Sequence, residues 1–421
     1  MSALLFIILL LLAVVGAPLF AVIGGSALIS YWRADINMQA LVIEFYQLAS
    51  KPMLEALFLF AFTGCVLGYS QAPRRLLRLS NAFLGWMPGG LAVVAIVSCS
   101  LLTAFTGASG ITIVALGGLL LPAMLEKRYE RNFSLGAITA SGSLGLLFPP
   151  SLPVILYGVI SNTQIEDLFI AGIIPGTLMV LVLSGYAVWK GGSIATPRMK
   201  FSLAEVFRAM WEAKLELPLP FIVIGGIYTG VFAVSEAAVI AAVYVIVVEM
   251  FIRREVGFGD FMKIARESAM LAGGILIILG MALAATNYMI DAEMPAKMFD
   301  LASPYMTNKF AFLITLNIFL LIVGCMIDIY AATVLVVPLI IPIAAGFGID
   351  PVHLGIIFLV NLGIGYITPP VGLNLFIANI RFREPIFKLY RAALPFVILL
   401  LIVLALVTYI PALSLFFLRG K

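Results

Sequence analysis

One short pattern occurs twice in this chain, 220 residues apart, and both copies interrupt long hydrophobic stretches. Residues 143–150 read SLGLLFPP and residues 363–370 read GIGYITPP, so that one glycine and both prolines coincide. A helix that crosses lipid over ~20 residues does not ordinarily carry two successive prolines, because each removes a backbone donor and clashes with the preceding turn. Interrupted backbone at membrane depth is tolerated where it is buried in protein or lines a cavity. Paired interruptions in two halves therefore indicate the binding site of a transporter.

The composition assigns the chain to the integral membrane proteins. Of its 421 residues, 63% are hydrophobic and 11% are charged, and the mean hydropathy is +1.16. Soluble domains carry about 25% charged residues. The apolar runs are longer than barrel strands, so they predict an all-α fold. The net charge of +4 requires no nucleic-acid partner, because Lys and Arg are concentrated in short loops, where they set the topology.

Several classes of site are disfavoured by the residues present. Cys65, Cys99 and Cys325 lie in apolar stretches and are interpreted as small buried hydrophobes, not as a disulfide or metal site. His353 is the only histidine, which argues against a HExxH zinc site and a histidine-dependent triad. No P-loop motif occurs. The N-terminus lacks a basic segment, so the run to about Ile29 is interpreted as a first membrane helix, not as a cleaved signal peptide.

Basic clusters at 74–78 and 127–131 are both expected in the cytoplasm. The N-terminus is predicted to lie there as well. Between the two clusters lie two short apolar limbs, roughly 89–105 and 110–125, separated by TGASG. This arrangement favours a re-entrant hairpin that enters from the cytoplasm over two full spans. The following segment, 134–160, is predicted to cross the membrane with the first break inside it.

A second hairpin is predicted over 310–346, with its interruption around 324–330. It should enter from the opposite side, because the span that follows, about 353–380, begins outside and ends at basic residues 381–391. Similar sequences in opposite orientation are the property of inverted-repeat transporters. The charge count and the sequence repeat are independent signals, and they agree.

The remaining elements complete a predicted single polytopic protein. Residues 202–214 and 255–267 are interpreted as amphipathic helices on the cytoplasmic face, although solvated connectors fit equally well. Further spans are predicted at about 168–189, 215–232, 235–251, 269–290 and 393–418. The predicted division is scaffold helices over 1–80, the first half of a transport domain over 81–165, scaffold and amphipathic helices over 166–267, the second half over 268–385, and a C-terminal helix over 386–421.

Polar residues at the hairpin tips and breaks are the candidates for chemistry. Carbonyls freed where a helix unwinds suit hard monovalent cations, and half-helix N-termini suit a carboxylate. Close packing of small residues is the competing explanation for any single Ser or Gly, but it explains the paired breaks less well. The candidates in the first half are Thr103, Thr106, Gly107, Ser109, Ser141, Ser143, Gly145 and Pro149.

Asp328 is the most informative residue of the second half. An acid near the bilayer centre costs about 2.5–3.5 kcal/mol on insertion scales, so it is a candidate functional group. A solvated acid near the outer interface is the alternative. Glu236 is interpreted as a helix cap, with contact to a partner as the alternative, and Asp350 is interpreted as part of a helix start. The other candidates in the second half are Asn361, Gly363, Gly365, Thr368 and Asn374.

Four segments together resemble the large membrane subunit of tripartite ATP-independent periplasmic (TRAP) transporters. They read TGASGITIVALGG, TASGSLGLLFPPSLPVILYG, GCMIDIYAATVLVVP and NLGIGYITPPVGLNLF. The likeness extends over nearly the whole chain, in order and spacing. It implies a secondary transporter of the bacterial or archaeal cytoplasmic membrane, with an elevator-type transport domain built around the hairpins and with sodium coupling. It also implies two partners, a small four-helix membrane subunit, expected as a separate polypeptide, and a periplasmic substrate-binding protein.

The resemblance further implies two or more sodium ions where each hairpin tip meets its broken helix. The corresponding positions are Gly107, Ser109, Ser143, Gly145, Pro149, Asp328, Gly363, Gly365 and Thr368. The residues expected to contact substrate are Thr106, Ser109, Asp328, Thr368 and Asn374. The first tip reads GASG where many relatives have a second serine or a proline, so the motif leaves open which side chain there contacts substrate.

The leading hypothesis is a sodium-driven importer of small organic anions. A proton-driven importer, with Asp328 as the proton carrier, is the alternative. An intramembrane aspartyl enzyme is disfavoured because that chemistry normally pairs two carboxylates, and no second intramembrane acid is evident. A purely structural subunit would not need paired broken helices. Sialic acids, C4-dicarboxylates, keto acids and sulfonates all remain candidate substrates.

Overall fold

A computed structural model describes residues 17–49, 52–191, 201–293, 297 and 308–418 of the chain. Within these ranges all regular secondary structure is helical. Six of the described helices are long and apolar enough to cross a membrane. If each of the three bent helix pairs is counted as one further span, the number rises to nine. The predicted all-α, multi-pass membrane fold is confirmed. The start of the predicted first membrane helix lies outside the described residues.

The N-terminal part consists of α1 (Leu19–Arg33), α2 (Gln39–Ala49), α3 (Pro52–Tyr69) and α4 (Ala72–Leu84). The axes of α3 and α4 differ by 74°. Helix α4 is amphipathic, with Leu76 and Leu79 buried on one face and Arg74 and Arg78 exposed on the other. Arg75, in contrast, is largely buried in ion pairs with glutamates. A helix that turns so sharply away from an apolar span has the geometry of an interfacial helix.

The first hairpin consists of α5 (Gly90–Thr106), α6 (Ser109–Ala115) and α7 (Gly117–Glu126). Its tip lies at Gly107, where φ is +64°. Glycine adopts this left-handed conformation without the steric cost that a Cβ atom imposes. The two predicted limbs and the turn between them are confirmed.

The first broken helix consists of α8 (Arg131–Ser141), a 3-10 turn (Leu144–Leu147) and α9 (Leu152–Ser161). Its two ends are bent by 43° relative to each other. The predicted interruption is therefore present. The bond between Pro149 and Pro150 is cis, as is the bond between the corresponding prolines of the second break.

The central helices are α10 (Ile165–Gly191), α11 (Leu203–Glu212), α12 (Pro218–Tyr228), α13 (Val234–Ile246, followed by a π-helical turn Val247–Ile252) and α14 (Phe258–Asp291). The predicted amphipathic helix over 202–214 corresponds to α11, and Glu236 caps α13 by accepting a 2.9 Å hydrogen bond from the Ala233 N–H. The interpretation of 255–267 as a separate helix is wrong. From 258 onward these residues form the first part of the continuous 34-residue α14. Residues 260–272 are mostly good helix formers and include no Gly or Pro, so nothing in the sequence ends the helix there.

The second half contains α15 (Lys309–Met326), α16 (Ile329–Gly346), α17 (Pro351–Gly365) and α18 (Leu373–Phe382). The chain ends with α19 (Ile386–Tyr409) and the short α20 (Ala412–Leu415). The hairpin formed by α15 and α16 and the break between α17 and α18 lie where the sequence predicts them. The proposed domain division stays a prediction, and three of its boundaries, at 80, 165 and 267, fall inside α4, α10 and α14.

The helix boundaries of the two halves correspond at the same offset as the sequence repeat. Shifted by 220 residues, α5 covers 310–326, and α15 covers 309–326. Helices α6 and α16 begin at the equivalent positions 109 and 329, and α8 and α17 at 131 and 351.

The two halves also interlock through packing. Within each half the first hairpin helix packs against the first part of the broken helix, α5 against α8 and α15 against α17. The returning limbs cross over, so that α16 packs against α9 and α6 against α18. Each broken helix is thus supported by both hairpins, and the two breaks meet in the protein interior.

Candidate functional site

The hydroxyl of Thr103 joins both limbs of the first hairpin to the first break. Thr103 Oγ1 lies 2.7 Å from Thr112 Oγ1 and 2.8 Å from the carbonyl oxygen of Gly142. Thr103 and Thr112 are fully buried. A buried hydroxyl must find partners, and these contacts place two hydroxyl oxygens and one carbonyl oxygen within a few ångströms of one another.

Two predicted site residues, Gly145 and Gly365, lie so close to neighbouring backbone that only glycine fits there. A Cβ atom on Gly145 would lie 2.5 Å from the backbone nitrogen of Ala104, and one on Gly365 would lie 2.5 Å from the carbonyl carbon of Gly324. Ala104 and Gly324 are themselves 220 positions apart. The same contact between break and hairpin is therefore built twice, and only glycine permits it.

The two hairpin tips contact each other through Tyr330. Its hydroxyl donates a 3.1 Å hydrogen bond to the carbonyl oxygen of Gly107. Thr106 and Ser109, on either side of Gly107, are buried, and Thr106 Oγ1 stays within the tip, 3.3 Å from the Ala108 carbonyl. The first tip is thus enclosed by protein.

Asp328 caps the returning limb of the second hairpin. Its Oδ1 accepts hydrogen bonds from the N–H groups of Tyr330 at 2.8 Å and Ala331 at 3.1 Å. The N–H of Ile329 donates to the hydroxyl of Tyr366 at 2.8 Å. The first three donors of α16 are therefore satisfied within the protein. At the equivalent position of the first tip, Ala108 has no capping side chain.

The second tip and the proline end of the second break are exposed, whereas the corresponding parts of the first half are buried. Asp328 and the two prolines of the second break are exposed, whereas Pro149 and Pro150 are buried. Pro149 lines an apolar cavity of about 310 Å³ between α5, α10 and α12. Thr368 is half-buried, and its hydroxyl donates to the Ile364 carbonyl at 2.8 Å.

Asn374 reaches the first half of the protein, although it lies in the second. It is fully buried, and its Nδ2 donates a 3.3 Å hydrogen bond to the carbonyl oxygen of Thr139. Its Oδ1 has no hydrogen-bond partner within the described part of the chain. The predicted substrate contacts therefore do not form one surface: Asp328 and Thr368 are accessible, whereas Thr106, Ser109 and Asn374 are buried.

The two breaks are joined directly. Ser143 Oγ donates a 2.9 Å hydrogen bond to the carbonyl oxygen of Gly363, and both residues were candidates from the sequence. Tyr330 and Tyr366 were not singled out as site residues. A tyrosine in an apolar segment was an available signal, because a buried phenol needs a hydrogen-bond partner.

The candidate cation ligands at the breaks are carbonyl and hydroxyl oxygens. Among the described residues no cluster of three or more His, Cys, Asp or Glu side chains occurs. Neutral oxygens of this kind, freed where helices are interrupted, are the ligands expected for a monovalent cation in such transporters.

An ion-pair cluster joins the two broken helices at the end where the basic loops lie. Glu384, after α18, lies 2.5 Å from Nε of Arg131, at the start of α8, and 2.9 Å from Nζ of Lys388. The hydrogen bond from Lys388, together with that from Arg131, lowers the pKa of the Glu384 carboxyl below its ordinary value.

Comparison with known proteins supplies the family. The model of the family described as the tripartite ATP-independent periplasmic transporter, DctM component, matches residues 3–413. The crystal structure of the YdaH transporter from Alcanivorax borkumensis aligns with a TM-score of 0.57 at 16% identity, over 88% of this chain and 86% of that one. At this identity the likeness concerns the fold alone.

Curated relatives extend over nearly the full chain. The isethionate TRAP transporter permease protein DctMQ of Oleidesulfovibrio alaskensis is 38% identical over 97% of this chain, which spans 65% of that longer protein. The C4-dicarboxylate large permease DctM of Pseudomonas aeruginosa is 35% identical over 93% of this chain and 92% of its own length. The sialic acid large permease SiaM of Vibrio cholerae is 32% identical over 85% and 84%. The chain belongs to the DctM-component family of TRAP transporters, a family of membrane transport proteins and not of enzymes.

Proposed function

We propose that this chain is the large membrane subunit of a sodium-coupled importer of small organic anions. The observation that carries the proposal is the meeting of two broken helices, each packed against its own hairpin, at the Ser143–Gly363 hydrogen bond. Interrupted helices of this kind hold coupling ions on freed carbonyl oxygens. The hydroxyls of Thr103 and Thr112, beside the Gly142 carbonyl, supply further neutral oxygens.

The names of the relatives support the proposed substrate class. Their names specify isethionate, C4-dicarboxylates and sialic acid, which all carry a sulfonate or carboxylate group. A substrate with one or two such groups is proposed here. The substrate is proposed to enter from the accessible side of the site, at Asp328 and Thr368.

The proposed assembly contains two further components. A small four-helix membrane subunit would pack against the scaffold helices, and a periplasmic binding protein would deliver the substrate. The proposed mechanism is an elevator, in which the two hairpins and broken helices move as one body against the scaffold. The complex would reside in the bacterial or archaeal cytoplasmic membrane, with the N-terminus of this chain in the cytoplasm.

Proton coupling through Asp328 is the second candidate. An exposed acid at a hairpin tip is the observation that favours it. However, Asp328 already has a structural role as the cap of α16, which requires no proton exchange. Sodium coupling is therefore preferred.

The test is uptake into proteoliposomes that contain this chain and its small subunit, with binding protein and labelled substrate outside. Each sodium ion that enters down a tenfold gradient releases ~1.4 kcal/mol, and a 100 mV potential adds ~2.3 kcal/mol per charge. Two ions supply ~7 kcal/mol, a ceiling of about 10⁵-fold accumulation before the charge of the anion is counted. Uptake on a sodium gradient alone is expected. Uptake on a pH gradient without sodium would establish the proton alternative, and a requirement for ATP would exclude both.

A further inference from the structure

A cavity of about 380 Å³ lies between α4 and the first hairpin, outside the site described above. We call it the α4–α7 cavity. Its walls combine the side chains of Arg74, Arg78 and Asn81 on α4 with leucines of α5 and α7, including Leu119. A cavity with a polar, basic rim and an apolar wall suits an amphiphile with a negatively charged head and a hydrocarbon tail.

The charge available at this cavity comes from Arg74. The Arg78 guanidinium is already paired with the carboxylates of Glu205, at 2.8 Å, and Glu212. Arg74 is exposed and has no carboxylate within ion-pair distance among the described residues. A second cation, Lys127, follows the cavity residue Ala123 by one helical turn and likewise has no ion pair within the described ranges.

The cavity lies at the level expected for lipid headgroups. Helix α4 turns by 74° from the apolar span α3, which is the geometry of a helix that lies in the interface. Trp86, just after α4, is 45% exposed, and Trp189, near the end of α10, is 73% exposed. They lie at the same end of the molecule, because Gly89 packs against Ala187 and Gly191. Exposed tryptophans mark the membrane–water interface.

We propose that the α4–α7 cavity binds an anionic phospholipid, with the phosphate on Arg74 and one acyl chain against the leucine wall. Cytoplasmic basic pockets between membrane helices recognise such headgroups, and the cytoplasmic leaflet carries negative lipid charge. The lipid would contact both α4, on the scaffold side, and α7, in the first hairpin. This proposal goes beyond the transport function and does not depend on which ion drives uptake.

Native mass spectrometry of the full-length chain tests the proposal directly. The probes are phosphatidylglycerol and phosphatidylethanolamine with identical acyl chains. The wild-type protein is expected to retain phosphatidylglycerol preferentially. Arg74→Gln should weaken that retention about tenfold, as expected for the loss of a hydrogen bond to a charged group. Leu119→Phe, which fills the apolar wall and leaves the charge unchanged, should weaken it as well.

Arg266→Gln is the matched control. Arg266 is an exposed arginine of α14 without an ion pair in the described part of the chain, and it does not line the cavity. Its loss should leave lipid retention unchanged. Equal retention of the two lipids by the wild type, or an equal effect of Arg266→Gln and Arg74→Gln, would overturn the proposal. Displacement of the lipid by inorganic phosphate, with no effect of Leu119→Phe, would identify a site for free anions and would also overturn it.

Discussion

The hydroxyl of Ser143 donates a hydrogen bond to the carbonyl oxygen of Gly363, and the two residues are separated by the 220 positions that also separate the two repeats. When two copies of a motif are related by a two-fold rotation, only positions near the axis contact their own counterparts. If the two halves are related by such a rotation, as the predicted inverted repeat requires, the hydrogen bond places both breaks beside its axis. In inverted-repeat transporters, substrate and coupling ions bind at this interface between repeats.

Ser143→Ala should raise the sodium concentration for half-maximal uptake about tenfold, the effect of losing one hydrogen bond to a charged group. Ser134→Ala is the matched control, because Ser134 is not a candidate site residue and its hydroxyl donates at 3.0 Å to the carbonyl of Glu130 at the start of the same helix. Sodium activation curves in proteoliposomes provide the measurement. Identical curves for the two variants would remove Ser143 from the ion site.

Gly365→Ala should destabilise the folded protein by about 1–3 kcal/mol, the usual cost of overpacking. The added methyl group would meet the backbone of Gly324, which cannot rotate away as a side chain can. Gly185→Ala, at a helical position with nothing within 4 Å, is the control and should be neutral or slightly stabilising. Thermal unfolding in detergent measures both, and equal midpoints would contradict the packing argument.

Asp328→Asn and Asp328→Ala should separate the structural role of this residue from its functional role. Asparagine caps helices about as well as aspartate, whereas alanine loses the cap at a cost of about 0.5–2 kcal/mol. The asparagine variant should therefore keep its thermal stability and lose most sodium-driven uptake. Near-normal uptake by the asparagine variant would show that the carboxylate acts only as a cap.

The Glu384 cluster should make stability depend on pH in the acid range. The folded-state pKa of Glu384 lies below the ordinary value of 4.5, so the unfolded chain binds its proton more readily. The stabilisation is complete above about pH 4.5 and is lost as the pH falls through the lowered pKa. Glu384→Gln should remove this part of the pH dependence, whereas Glu126→Gln, at an exposed glutamate, should not. Parallel profiles of midpoint against pH for wild type and Glu384→Gln would disprove the assignment.

The opposite orientation of the hairpins can be tested by labelling single cysteines in a background without Cys65, Cys99 and Cys325. Glu126→Cys and Ala345→Cys replace exposed residues at the ends of α7 and α16. An impermeant reagent should reach the first only from the cytoplasm and the second only from outside. Labelling of both from one side would rule out inverted topology.

Local patterns were sufficient to locate the two hairpins and the two interrupted segments. Each Pro-Pro pair interrupts a helix through missing backbone donors and a steric clash, and Gly107 ends a helix through its left-handed φ. Both effects extend over only a few residues. For the same reason the Glu236 cap and the helix start at Asp350 could be predicted. Asp350 accepts hydrogen bonds from the N–H groups of Val352 and His353. The extent of α14 was misjudged, because a change from mixed to apolar composition does not by itself end a helix.

The sequence by itself determined the class of the protein, its two interrupted segments and the glycines that those segments require. Only the tertiary structure decided that Asn374 reaches Thr139, that Tyr330 joins the two tips, and that the returning limbs exchange partners between the halves. The two hydrogen bonds join residues 235 and 223 positions apart, far beyond the reach of any local pattern. Hydrophobic periodicity specifies which face of a helix is buried, but the partner of that face depends on how all the helices pack together.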